Sequence, residues 1–70
     1  MSNSYDLFSM HEALDRTHVV LDTFYGFILE HPFVQDVPEL KNKATSIAND
    51  MYDLYQMIGN ITVAKEEGDE

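Results

Sequence analysis

The apolar residues of this chain fall into two runs with helical spacing. Leu7, Met10, Leu14, Leu21, Phe24 and Ile28 recur at three or four positions, interrupted only by Thr17, and that alternation keeps side chains on one face of a 3.6-residue helix. The second run is unbroken. Val37, Leu40, Ala44, Ile47, Met51, Leu54, Ile58 and Ile61 fit the a and d positions of a heptad repeat. The pattern predicts one helix over about 5–30, a bend at 31–36, and a second helix over about 37–61 that continues weakly to 64.

Local signals set the expected ends. Ser4 could cap an early first turn, whereas Ser9 with Glu12 forms a capping box, so two starts are open for the first helix. Pro32 pushes His31 out of helical geometry and makes HPFVQD a connection. Asp36 and Glu39 read as a D-x-x-E cap for the second helix, with Pro38 in its first turn, where a missing N–H costs nothing. Gly59 is a candidate C′ residue, although Ile61 keeps the register beyond it.

Two helices of roughly 27 residues, each about 40 Å long, joined by about five residues suit an antiparallel hairpin. Ala13, Val20 and Phe27 line one flank of the first helix and Tyr25 the other, so its apolar stripe is too broad for a single neighbour. The fold class expected is therefore all-α: an antiparallel two-helix hairpin that closes a four-helix bundle as a homodimer. Its core and dimer residues are expected to be Leu7, Leu14, Val20, Leu21, Phe24, Phe27, Ile28, Leu40, Ile47, Met51, Leu54 and Ile58.

Composition strengthens the case for a partner chain. Seventy residues with 44% hydrophobic content form at most one domain, and a chain this short buries only about 60% of the surface it exposes when unfolded. Without cysteine, disulfides cannot supply the missing stability. There is no leader-like start and no 18-residue apolar stretch, so a soluble, cytoplasmic protein is expected.

The formal charge is -9, with 13 acids opposed by Arg16, Lys41, Lys43 and Lys65. Such a surface repels a phosphate backbone, which argues against direct nucleic-acid binding. The terminal KEEGDE, residues 65–70, reads as an acidic flexible tail. Residues 1–64 still hold nine acids and three bases, a net of -6. A larger protein with a basic surface is the partner this field favours.

Little in the chain suggests catalysis. Gly26, Gly59 and Gly68 form no phosphate loop, no nucleophile elbow is present, and the serines at 2, 4, 9 and 46 lack a strand-turn-helix setting. No enzyme activity and no cofactor are expected. His11, Asp15, His18 and Asp22 form a stripe at spacings of four, three and four, which could share a divalent metal in a carboxylate-bridged bundle. The second helix offers no inward acid to complete such a site, and only Asp50 flanks its seam. Local His–Asp pairing is therefore the preferred reading and no metal site is assigned.

NDMYDLYQM, residues 49–57, carries the more suggestive feature. Tyr52 takes a b position among Asn49, Asp50 and Asp53, and should point to solvent, while Tyr55 at e should lean over the seam. A tyrosine combines contact area with low entropy loss, so Asp50, Tyr52 and Asp53 are the first candidates for partner binding. Phe33, beside Pro32 and Val34 in the bend, is the next.

The expected architecture is similar to that of the small plasmid copy-control bundle Rop, whose RNA-binding basic face has no counterpart here. In size and charge the chain is similar to compact acidic phage and mobile-element proteins that disable host machinery. The function expected is a regulator, adaptor or inhibitor acting by protein–protein contact. A DNA mimic, with carboxylates standing for phosphates, is the first alternative, although the acids spread over several faces. A metal-binding bundle on the His–Asp stripe is the second.

Overall fold

The computed structural model describes residues 6–68, and among these every element is helical. Helix α1 spans Leu7–Phe24 and runs into a π-helical turn at Tyr25–Leu29; α2 is a single short helix, Pro32–Asp36, and α3 spans Pro38–Gly68. None of these helices is long and apolar enough to cross a membrane.

The start of α1 differs from both expected starts. Asp6 is extended (φ −84°, ψ 170°) and accepts a hydrogen bond from the Ser9 backbone N–H at 2.9 Å, which satisfies one of the free donors of the first turn. Ser9 lies inside the helix, so the Ser9–Glu12 box is not the cap; Ser4 lies outside the described residues.

The first helix also ends differently. At Tyr25 the backbone widens into the π-turn, in which the Glu30 N–H donates to the Tyr25 carbonyl at 3.1 Å. A π-turn inserts one residue into the helical repeat, and the inward position moves from Ile28 to Leu29. Leu29 is buried and Ile28 is 45% exposed, the reverse of the periodic expectation. The Gln35 side chain then donates to the Leu29 carbonyl at 2.6 Å, which caps an otherwise unpaired helix end.

The segment 31–36 is a helical turn rather than an open bend. His31 is extended (φ −64°, ψ 133°) ahead of Pro32, and its Nδ1 accepts from the Phe33 N–H at 3.1 Å. Asp36 is the last residue of this turn, so it does not cap α3. The Val37 carbonyl accepts from the Lys41 N–H at 2.9 Å, placing Val37 at the cap and Pro38 at the first helical position, where proline is favoured.

Helix α3 passes through Gly59 and continues to Gly68, beyond the expected limit at 61–64. Gly59 is helical with negative φ, and it faces α1: a Cβ there would lie 3.7 Å from Leu14 Cδ1. The acidic stretch to Gly68 is therefore helical, and Glu66 Oε2 lies 2.7 Å from His11 Nε2. Asp69 and Glu70, the rest of the expected flexible tail, lie outside the described residues.

Helix α1 lies against α3 in the opposite direction, with His11 beside Glu66 and His18 beside Tyr55. The inward face of α3 is built from small residues. Ala44, Ala48 and Thr62 are its buried members, with Met51, Tyr55, Ile58 and Gly59 half-buried between them. Opposite stand Leu7, Met10, Leu14, Thr17, Leu21 and Phe24, all half-buried. The two threonines cost little here, because Thr17 donates to the Ala13 carbonyl and Thr62 to the Ile58 carbonyl, each at 2.8 Å. At the turn end Leu29, Ala44 and Ala48 form the core, packed by Phe24 and Val34.

The result is a slab one helix deep. Its extents are 51 × 22 × 15 Å, and a helix with side chains is about 10–12 Å across. The radius of gyration is 15.6 Å, against about 11 Å for a compact domain of this length. The accessible surface is 5448 Å², against roughly 4,500 Å² for a compact monomer of 8.1 kDa.

Candidate functional site

The slab has two unlike faces, and the register of α3 decides which residues each one holds. In heptad terms the inward face of α3 is centred between a (Ala44, Met51, Ile58) and e (Ala48, Tyr55, Thr62), instead of between a and d as the periodicity implies. That is a rotation of roughly 50°, half the step between successive residues. Its cause is size, since Ala48 and Thr62 on the e row let α1 approach where the d row would hold it off.

The d row is left outside. Leu40, Ile47, Leu54 and Ile61 are 39–60% exposed and lie seven apart, which makes a stripe of about 32 Å at 1.5 Å per residue. His11, His18 and Tyr25 of α1 occupy the other side of the pair, near Glu66, Tyr55 and Tyr52. The flank of α1 that shares the d-row side is therefore Ala13, Val20 and Phe27. Phe27 is 73% exposed, and with Val19, Val20, Thr23, Phe24 and Ile28 it lines an apolar cleft of about 390 Å³. Of the twelve expected core and dimer residues, Val20, Phe27, Ile28, Leu40, Ile47 and Leu54 thus lie on this open face, while Leu7, Leu14, Leu21, Phe24, Met51 and Ile58 line the seam.

The opposite face is polar and aromatic. His18 packs against Tyr55 with ring centroids 5.9 Å apart, and Tyr55 stacks on Tyr52 at 6.5 Å with an interplanar angle of 27°. Both separations fall within the roughly 4.5–7 Å over which aromatic rings interact. Tyr52 stays 52% exposed at the outer end of this row. Beside it a cleft of about 330 Å³ is lined by Leu21, Asp22, Tyr25, Ala48, Asn49 and Tyr52. Tyr25 and Asn49 also border a larger cleft of about 550 Å³ with Lys41 and Gln35.

The four sequence candidates do not form one face. Asp50 and Tyr52 are two residues apart on a helix, about 200° around it, and cannot face the same ligand. By helical rotation Asp50 falls beside the d row and Asp53 on the side away from α1, both exposed, and Phe33 stands 63% exposed on α2. The carboxylate that shares a cleft with Tyr52 is Asp22. In the sequence Tyr25 reads as a flanking residue of the first helix and Asp22 as a member of the His–Asp stripe, because their neighbour across the cleft depends on the antiparallel register.

The His–Asp stripe is divided in the same way. His11 hydrogen-bonds Glu66, His18 stacks on Tyr55, and Asp22 lines the tyrosine cleft. Among the described residues no three His, Cys, Asp or Glu side chains converge as metal ligands. On the same helix Arg16 Nη2 pairs with Glu12 Oε2 at 2.9 Å, an exposed i,i+4 contact worth a few tenths of a kcal/mol.

No protein-family model, curated protein or solved structure matches this chain.

Proposed function

We propose that this chain is a small acidic regulator, adaptor or inhibitor that works in the cytoplasm by protein–protein contact. Its hairpin pairs with a second copy through the apolar face, giving a four-helix bundle, and each protomer presents its acidic tyrosine face to a larger basic protein. The observation that carries this reading is the segregation of the two faces. An exposed row of large aliphatic side chains with Phe27 asks for burial, whereas the tyrosine row asks for a mixed polar and aromatic partner.

A second copy suits the apolar face for two reasons. The charges near it are of both signs, with Lys43 and Asp50 on α3 and Arg16 paired to Glu12 on α1, so two copies can meet there despite a chain charge of -9. The row is also broad: Leu40, Ile47, Leu54, Ile61, Val20 and Phe27 are each 39–73% exposed, and a contiguous set of large open apolar side chains marks an interaction surface. Light scattering over a concentration series should give about twice 8.1 kDa. A folded monomer at low micromolar concentration sinks the dimer.

Partner binding is tested by capture from host lysate with wild type and Tyr52→Ala side by side. A partner with a basic surface should be retained by the first and lost by the second. A DNA mimic would lose its target on removal of acids from any part of the mimicking surface and would barely register the loss of one ring. A capture unaffected by Tyr52→Ala removes the tyrosine face from consideration.

A further inference from the structure

We propose that the cleft between Tyr25 and Tyr52 is a guanidinium subsite that takes an arginine side chain of a partner protein. This rests on the reading of the tyrosine face as a binding surface, and it names the chemistry of recognition.

The lining supplies what an arginine needs at each point along its length. Leu21 and Ala48 give apolar lining for the aliphatic stem; Tyr25 and Tyr52 give two aromatic rings; Asp22 gives a carboxylate and Asn49 an amide oxygen. Guanidinium is planar, weakly hydrated and stacks on aromatic rings, whereas ammonium is compact and strongly hydrated. The tyrosines are about half exposed, at 49% and 52%, so both rings are accessible to a ligand. The cleft of about 330 Å³ is at the small end of ligand sites, about 300–1,000 Å³, which suits one side chain.

Two further features point to the same place. The π-turn opens at Tyr25, and such turns recur at functional sites. Tyr52 is also braced from behind by Tyr55, itself packed against His18, so the ring is held before a ligand arrives and little ordering cost is added on binding. The cleft lies on the face opposite the apolar one, and a dimer leaves both copies of it open.

The test is an NMR titration of the intact protein at low salt with acetyl-arginine amide, read at the Ala48 methyl and the Tyr25 and Tyr52 ring signals. These signals should move together and saturate. Acetyl-citrulline amide, which has the same shape without the charge, should leave them in place, and acetyl-lysine amide should bind several-fold more weakly. Tyr52→Leu keeps an apolar side chain and should abolish saturation, while Tyr52→Phe should retain it. Asp22→Asn should weaken binding about tenfold, and Asp53→Asn, outside the cleft, should not. Lys41→Gln removes a cation from the adjoining cleft and should tighten binding. Equal responses to the arginine and lysine amides, or shifts spread over the acids of both faces, would mean attraction to net charge alone and would overturn the subsite. A saturable, Tyr52-dependent response upholds it even where lysate capture yields no partner; a captured partner that binds Tyr25→Leu and Tyr52→Leu unchanged overturns it while leaving the partner reading intact.

Discussion

The inward and outward rows of α3 differ in whether small residues interrupt the large ones. The inward row puts Ala44, Ala48, Gly59 and Thr62 against α1, with Met51, Tyr55 and Ile58 between them, and the outward row is large throughout: Leu40, Ile47, Leu54 and Ile61. A hydrophobic pattern alone favours the outward row. Packing does not, because small residues let two helices approach closely and large ones hold them apart. The large aliphatic residues of the outward row are therefore left exposed, and among the described residues the closed seam fully buries only Leu29, Ala44, Ala48 and Thr62. Contacts between α1 and α3 set the register, while the outward row keeps apolar area that burial would still stabilise.

The sharpest way to break this comparison is a charge on the outward row. Leu54→Asp, at 50% exposure, should be nearly neutral in a monomer, within about 0.5 kcal/mol. Within a paired face it would bury an uncompensated charge, at a cost of about 3–5 kcal/mol. We expect the larger figure, read as dissociation in light scattering together with a fall in melting temperature of more than 10 °C, since about 1 kcal/mol moves a domain this small by roughly 4–8 °C. A folded, concentration-independent Leu54→Asp protein would contradict the paired face.

The inward row is tested by enlarging it. Ala48 is 6% exposed and belongs to the core beside Leu29 and Ala44, so Ala48→Leu forces α1 and α3 apart and should cost about 1–3 kcal/mol. Ile47→Leu, one residue away on the outward side, keeps volume and should cost less than about 1.5 kcal/mol. Chemical denaturation of the two variants at one protein concentration compares the rows directly. Equal losses would mean that size does not separate them.

A smaller effect is expected at the glycines. A Cβ at Gly26 meets nothing within 4 Å, and one at Gly59 makes an ordinary 3.7 Å contact with Leu14. Both lie in helical segments at negative φ, so Gly26→Ala and Gly59→Ala should each stabilise, by up to about 1 kcal/mol. A loss at Gly26→Ala would show that the π-turn needs a glycine there.

The all-α class, the two long helices and the extended His31 before Pro32 were legible because periodicity and proline chemistry are local. Leu29 was not, since a single inserted residue at the π-turn has no signature in a three-four pattern. The rotation of α3 was equally hidden: Ala48 and Thr62 do not register as core in a hydrophobicity count, yet their smallness fixes the contact face. The cap at Asp6 was neither of the two starts the motifs left open, Ser4 and the Ser9–Glu12 box, because several short polar residues near the start are all good local caps and packing of α1 chooses among them. For the tyrosines, the positions b and e gave their relative exposure, while the pairing of Tyr52 with Tyr25 and Asp22 required the antiparallel alignment. Asp50, adjacent in sequence, proved to be on the far side of the helix.

The smallest expected change in stability belongs to Tyr52, and it separates a binding residue from a structural one. Tyr55 is half-buried in the groove, touching His18 on one side and Tyr52 on the other, so Tyr55→Ala removes packing between the helices and should lower the melting temperature measurably. Tyr52 meets Tyr55 at 6.5 Å and is otherwise 52% exposed. Losing that one offset stack should cost no more than about 0.5 kcal/mol, the low end for an aromatic pair. Partner affinity should move the other way: Tyr52→Ala should weaken it by more than about 1 kcal/mol if the ring is a hot spot. In Tyr55→Ala, Tyr52 keeps its chemistry but loses its brace, so binding should fall less than in Tyr52→Ala once both are compared well below their melting temperatures. Should Tyr52→Ala prove the more destabilising of the two, the ring is part of the fold, and the exposed Phe33 of α2 becomes the aromatic to test.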